Sequence, residues 1–164
     1  MYLIDGNNVM GQQPGWHRDR PGARHNLLLR LSEFARISGD RLAVVFDGRP
    51  EPHFPDGSRH RGVTVFYALP GSDADHRIID LVELESNRRG LTVVTSDREL
   101  AARVRVCGVG TMRSGEFRRM LDRVPAPSAP DQADPGTGVP AEDMTGWMRY
   151  FGVDREDAED EENP

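Results

Sequence analysis

Aspartates in this chain recur where apolar runs stop. Asp5 ends Tyr2-Leu3-Ile4, Asp47 ends Val44-Val45-Phe46, and Asp97 follows Val93-Val94-Thr95-Ser96. A further acidic group, Asp73-Ala74-Asp75, stands between Pro70-Gly71-Ser72 and the apolar Ile78-Ile79. An apolar run that ends in an acid reads as a buried strand whose carboxyl end opens into a site, which is where open α/β sheets bind ligands. If the strands are parallel neighbours, the acids converge on one sheet edge. Two carboxylates ~4 Å apart repel by about 4 kcal/mol at an effective dielectric near 20. Such a cluster needs a cation, a proton or neighbouring Arg. All-oxygen sites suit Mg²⁺, which binds through few carboxylates and keeps several waters, and Mn²⁺ accepts similar ligands. A metal held this way can activate water and stabilise a phosphodiester undergoing in-line displacement.

Each acid also has a plain structural reading. Asp5 could form an Asx-turn with Gly6 at positive φ, and Asp47 before Gly48 could be a turn former. Ser96 with Glu99, and Ser72 with Asp75, fit helix-capping patterns, and acids in a first turn favour the helix dipole. What these readings leave unexplained is that three strands end in acids while a fourth acid opens a neighbouring helix.

The elements that must hold these residues follow from the pattern. Strands are expected at the apolar runs ending in Asp5 and at 42–46, 63–67, 91–95 and 109–112. Helices are expected at 23–37, with Pro21 in the first turn and Gly39-Asp40 at the end, and at 73–88, 97–106 and 114–123. Residues 7–20 and 48–61 read as loops. Gly90 is expected to cap the second helix. Strands alternating with helices imply an α/β fold, a mainly parallel sheet of about five strands covered on both faces.

With 164 residues and 37% hydrophobic content, the chain can build one domain with a real core. All 21 basic residues are Arg. Residues 1–124 hold 19 Arg against 16 Asp and Glu, whereas 125–164 hold 2 against 11, so a mildly basic domain precedes a strongly acidic tail. Residues 125–141, rich in Pro, Ala, Gly, Ser and Asp, read as a disordered linker. Within 142–164, a short amphipathic segment at 142–152 carries Trp147, Tyr150 and Phe151 and could contact a protein or ribosomal partner, ahead of an acidic end. No apolar run reaches the ~18 residues of a membrane span. Neither a secretory leader nor a cysteine pair is evident, so a cytoplasmic location is expected.

The motifs Ile4-Asp5-Gly6-Asn7-Asn8, Val45-Phe46-Asp47-Gly48, Ser72-Asp73-Ala74-Asp75-His76-Arg77-Ile78 and Thr95-Ser96-Asp97-Arg98-Glu99 occur in an order and spacing that resemble the NYN branch of PIN-like ribonucleases, in particular the YacP-like group. The resemblance covers residues 2 to about 122. It implies a three-layer α/β/α fold and metal-dependent cleavage of RNA; the leading expectation is an endoribonuclease acting with Mg²⁺ or Mn²⁺, although the sequence does not decide between endo- and exonucleolytic action. It carries over Asp5, Asp47, Asp75 and Asp97, with Asn8 as a polar helper. Asp5 and Asp97 are expected to bind the ion with Asp75 completing the set, and Asp47 to act through water. Asp73 is an extra acid beside Asp75, and either could be the ligand. Arg18, Arg20, Arg49, Arg59, Arg61, Arg77 and Arg98 are the expected contacts to single-stranded or loop RNA, with Trp16 and Phe54 available to stack on bases. Two other functions fit the residues: a catalytically weak RNA-binding adaptor whose acids are caps, and a phosphatase-like phosphoester hydrolase. The second lacks the Asp-x-Asp start of an aspartyl-phosphate enzyme, because position 7 is Asn.

Overall fold

The computed structural model describes residues 1–125. The readings made above for the linker beyond Pro125, the 142–152 segment and the acidic end lie outside the described residues. The chain alternates strand and helix: β1 (Tyr2–Asp5), α1 (Gly6–Met10), α2 (Arg20–Ser38), β2 (Leu42–Phe46), β3 (Arg59–His60), β4 (Val63–Tyr67), α3 (Ala74–Leu84), β5 (Thr92–Val94), α4 (Arg98–Val106), β6 (Gly110–Met112) and α5 (Ser114–Asp122). The sheet has six strands in the order β3-β4-β2-β1-β5-β6, parallel except for β3. Ile4 lies opposite Val44 on one side and Val94 on the other, which fixes β1 at the centre.

Every residue of β2 and β4 is buried, as expected of parallel strands covered on both faces. α1, α2 and α5 pack together on one face, where Leu27, Leu28, Leu31 and Phe117 meet Ile4, Val44 and Phe46. α3 contacts β1, β2 and α4, and brings buried Ile78, Ile79, Leu81 and Val82. The result is the expected α/β/α architecture.

The differences from expectation are local. The sixth strand is β3, a two-residue piece that pairs antiparallel with the start of β4 and hid within the 48–61 loop. The stretch read as a loop from Asn7 begins with α1 instead, whose five residues are too few to show a helical period. α3 stops at Leu84, well short of residue 88, because Glu85 is extended. Gly90 therefore closes a short 3₁₀ turn (Arg88–Gly90) and caps no helix. α2 behaves as read: Pro21 is in its first turn and Gly39, at φ 71°, receives the chain in the left-handed conformation that ends it.

The topology creates one place where neighbouring strands lead away in opposite directions. From β1 the chain builds outward through β2 and β4, then crosses by α3 to β5 on the other side of β1. The carboxyl ends of β1 and β5 flank that switch point, where a crevice for ligands is expected.

Candidate active site

Asp5 stands at the switch point. It caps α1: its Oδ1 accepts the Asn8 backbone N–H at 3.0 Å, and its Oδ2 accepts the Thr95 hydroxyl from the end of β5 at 3.1 Å. The residue is only 5% exposed. Gly6 has helical backbone, so it is not there to supply a positive φ. It is glycine because α1 starts hard against the end of β2. A Cβ would lie 2.4 Å from a ring carbon of Phe46 and 2.9 Å from the Val45 carbonyl oxygen. Close approach rather than turn geometry explains the Asp-Gly pair.

Asp47 is held from two directions. Its Oδ2 accepts the Asn7 side-chain N–H and its Oδ1 the Ala74 backbone N–H, both at 2.8 Å. Arg24 of α2 donates to the Asp47 carbonyl and to Glu51. Asp47 therefore ties the end of β2 to α1 and to the start of α3. Asp97 caps α4, its Oδ1 accepting the N–H groups of Glu99 at 2.7 Å and Leu100 at 2.9 Å. The cap is Asp97 and not Ser96, whose hydroxyl instead accepts the Ser114 N–H. On α3 the cap is Asp73 and not Ser72. Its carboxylate takes the His76 N–H at 2.9 Å and the His76 ring nitrogen at 2.7 Å. Those two contacts hold the Asp73 carboxyl below its ordinary range. Asp75 is left over. Its carboxylate accepts no hydrogen bond among the described residues.

The electrostatics join what the hydrogen bonds keep separate. Asp5 is pushed up to about 6, first by burial; the Asn8 N–H and Thr95 hydroxyl oppose this, and the charges of Asp75 and Asp47 add to it. Asp75 is also raised, by burial and then by Asp97, Asp73 and Asp47, with Arg103 partly offsetting them. Asp5 and Asp75 therefore each feel neighbouring strand-end and helix-start acids.

For several participants the sequence assigns a different part, or none. Asn8 was expected to assist chemistry, yet its Oδ1 is occupied by the Ser96 N–H at 3.0 Å and the Ser114 hydroxyl at 2.8 Å. It locks α1 to β5 and α5. Asn7 is the amide with spare capacity: it holds Asp47, and its own Oδ1 is buried without a partner. Thr95 links Asp5 to Asp97 by donating to the first and accepting the N–H of the second at 3.1 Å. Arg103 of α4 faces Asp75 and Asp73.

The expected RNA contacts divide into three groups. Arg18, Arg20, Arg49 and Arg98 are exposed on segments at the acidic edge, with Arg20 lying over the half-buried Trp16. Arg77 is committed to structure, since it pairs with Asp56 at 3.2 Å and lies over Phe66. Arg59 and Arg61 are at the wrong end. The antiparallel β3 returns the chain to the amino edge of the sheet before β4 begins, so neither flanks the acids. Phe54 is not available for stacking on bases either: it is buried in the core beside His25 and His60.

The donor set suits a hard divalent ion in chemistry: all oxygen, with repelling carboxylates and an unpartnered buried amide oxygen on Asn7. Among the described residues, however, no three His, Cys, Asp or Glu side chains are placed to grip one ion together. An ion here fits only the few-carboxylate, water-rich mode. No helix among the described residues is long and apolar enough to cross a membrane.

Among curated proteins none matches the chain. The solved structures that it resembles include two of Rae1 (YacP) from Bacillus subtilis. One, of a tryptophan-to-leucine variant, is 26% identical with a TM-score of 0.62, covering 75% of each chain. The other is 25% identical with a TM-score of 0.60, covering 76% of this chain and 74% of that one. The model of the YacP-like NYN domain matches residues 2–136. With the motifs, the α/β/α sheet and the acids at its switch point in agreement, the chain belongs to the YacP-like NYN domain family, whose members are nuclease-like domains that act on RNA.

Proposed function

We propose that this protein is a metal-dependent endoribonuclease that hydrolyses phosphodiester bonds of single-stranded RNA. The observation that carries the reading is the pair Asp5 and Asp75 at the switch point, each raised by burial and by the repulsion of neighbouring acids. Capping alone gives a fold no reason to bury one carboxylate beside others. Mg²⁺ or Mn²⁺ held by Asp75 and the unoccupied oxygen of Asp97, with Asp5 adding charge behind them, would relieve that repulsion. The ion would supply Lewis acidity and water activation. The protein's own residues do the rest. Asp47, fixed by Asn7 and Ala74, orients attacking water, and Thr95 keeps Asp5 and Asp97 in register. Arg18, Arg20, Arg49 and Arg98 attract the phosphate chain to an edge that is otherwise acidic. A covalent phosphoaspartate route lacks its second acid, because position 7 is an amide whose N–H holds Asp47.

The adaptor reading draws on the caps, since Asp5, Asp73 and Asp97 all have structural employment. Metal dependence separates the two. Cleavage of a labelled hairpin-containing RNA in Mn²⁺, Mg²⁺ or EDTA, with wild type beside Asp5→Asn and Asp97→Asn, decides it. The nuclease reading expects internal cuts only with metal, lost in both variants. Full cleavage by either variant, or RNA binding without cuts in any metal, overturns it.

A further inference from the structure

Beside the acids lies a cleft of about 470 Å³ whose aliphatic walls lie outside the quoted motifs. Two loops form it: one leaves β2 directly after Asp47, the other leaves β4 and ends at Ser72, just before Asp73 and Asp75. The hydrogen bond from Ala74 N–H to Asp47 fastens these loops where the cleft meets the acidic site. The walls are largely aliphatic, from Pro50, Ala68, Leu69 and Pro70, with Tyr67 behind them. Leu69 is 44% exposed, an unusual position for a large apolar side chain on an edge otherwise occupied by charge. A tight turn holds it there: Pro70 and Gly71, at φ 76°, let the Ser72 N–H reach the Leu69 carbonyl at 3.0 Å. At the rim stands Arg49, exposed and without an ion pair or hydrogen bond among the described residues. Asp56, the other charged residue lining the cleft, is already engaged by the Tyr67 N–H at 2.8 Å and by Arg77.

We propose that this cleft receives one unpaired nucleobase of the RNA strand, next to the phosphate presented to the acids, with Arg49 contacting the flanking phosphate. This rests on the ribonuclease reading and specifies how that site takes its substrate. An apolar slot continuous with a phosphate-handling edge matches a nucleotide, which is a flat apolar face joined to an anion. A base can enter only when it is out of a helical stack, so the cleft selects single strands and loops over duplex. It would accept any base, because its one carboxylate is paired and its other walls offer little to hydrogen-bond.

The test uses the full chain and a 12-nucleotide RNA carrying one 4-thiouridine, irradiated and mapped by mass spectrometry, with affinity followed by fluorescence anisotropy. Crosslinks are expected within Gly48–Pro50 or Tyr67–Ser72. Leu69→Asp, at an exposed position, should remove them and weaken binding roughly fivefold, the lower end of what one base contact contributes. Arg49→Ala should weaken binding with the crosslinks kept. Duplex RNA of the same sequence should not crosslink there. Crosslinks mapping elsewhere, or Leu69→Asp binding and crosslinking like wild type, would overturn the proposal. The readout is binding, so the two readings fail separately. Metal-dependent cleavage without crosslinks in the cleft sinks only the base slot, whereas crosslinks in the cleft without cleavage in any metal sink only the nuclease.

Discussion

The two ends of the sheet carry opposite charge. At the carboxyl ends of the strands stand Asp5, Asp47, Asp73, Asp75 and Asp97. At the amino ends, Arg36, Arg41, Arg59 and Arg61 line a groove of about 570 Å³ beside the C-terminus of α2, with Glu33 and Asp40 among them. Part of this contrast is ordinary helix physics. In a parallel α/β unit, helices start at the carboxyl edge, where free N–H groups favour acids, and finish at the amino edge, where free carbonyls favour Arg. Asp73 fits that account completely, as a cap whose carboxylate takes the His76 N–H, and Asp97 fits it through Oδ1 alone, its other oxygen being the one proposed above to take the ion. Asp5 and Asp75 do not, because both are pushed up by burial and by neighbouring acids. The difference separates acids that only serve a helix from acids whose burial and crowding a cation would relieve, as the proposed function requires.

The sharpest way to break that distinction is to neutralise one acid of each kind. Asp75→Asn should lower single-turnover cleavage in Mn²⁺ by about two orders of magnitude, the scale of removing one electrostatic contact to a transition state. Asp73→Asn keeps a capping side chain and should change the rate by less than about threefold. Equal losses in both would show that position on the helix, and not the strain on the carboxylate, decides function.

A second test uses pH on the metal-free protein. The Asp5 carboxyl sits at about 6 in the fold against 3.8 in the free chain, so between those values the folded state holds the extra proton. Stability from this group is therefore complete below about pH 3.8 and lost as pH rises to about 6, up to about 3 kcal/mol in all. Asp75, also raised, adds in the same direction; Asp73, lowered, has the opposite sign but changes only below about pH 3.8, outside this window. Asp5→Asn isolates the Asp5 part. Denaturant melts at pH 4 and pH 7 should show the variant gaining on wild type by that order of magnitude at the higher pH. A constant gap would remove the claim that Asp5 is held at a cost.

Gly6 tests the geometry rather than the charge. Gly6→Ala pushes a methyl against the Val45 carbonyl, which cannot move without dragging β2. Overpacking of this kind costs about 1–3 kcal/mol. The shift also displaces the Asp5 cap, so thermal midpoint and cleavage rate should fall together.

What could be read from the sequence follows a physical line. β2, β4, α2 and the acids that end strands announce themselves by continuous apolar runs and by turn chemistry, all local signals. α1 and β3 are shorter than the period that would reveal them. Asn7, Ser114 and Arg103 matter only through partners 18 to 106 residues away or on another helix, and Thr95 reaches Asp5 across 90 residues; topology alone brings those together. The largest misplacement, Arg59 and Arg61 beside the acids, came from treating 48–61 as one loop on one edge. A two-residue antiparallel strand is enough to carry them to the other.

That reversal supports the smallest prediction. Arg61 (φ 46°) and Gly62 (φ 87°) are the two loop residues between β3 and β4, both at positive φ as a type I′ hairpin turn requires. Glycine takes that conformation freely; Arg at the first position does so at a cost, and Asn is the residue such turns favour. Arg61→Asn should therefore stabilise the domain by about 0.5–1 kcal/mol, seen as a higher denaturant midpoint with an unchanged slope. Because the turn lies at the amino edge, cleavage and RNA affinity should stay within twofold of wild type, whereas Arg98→Ala at the acidic edge should weaken affinity and flatten its salt dependence. A loss of RNA affinity in Arg61→Asn matching that of Arg98→Ala would mean that RNA reaches both ends of the sheet, and the contrast between them would no longer divide substrate handling from scaffold.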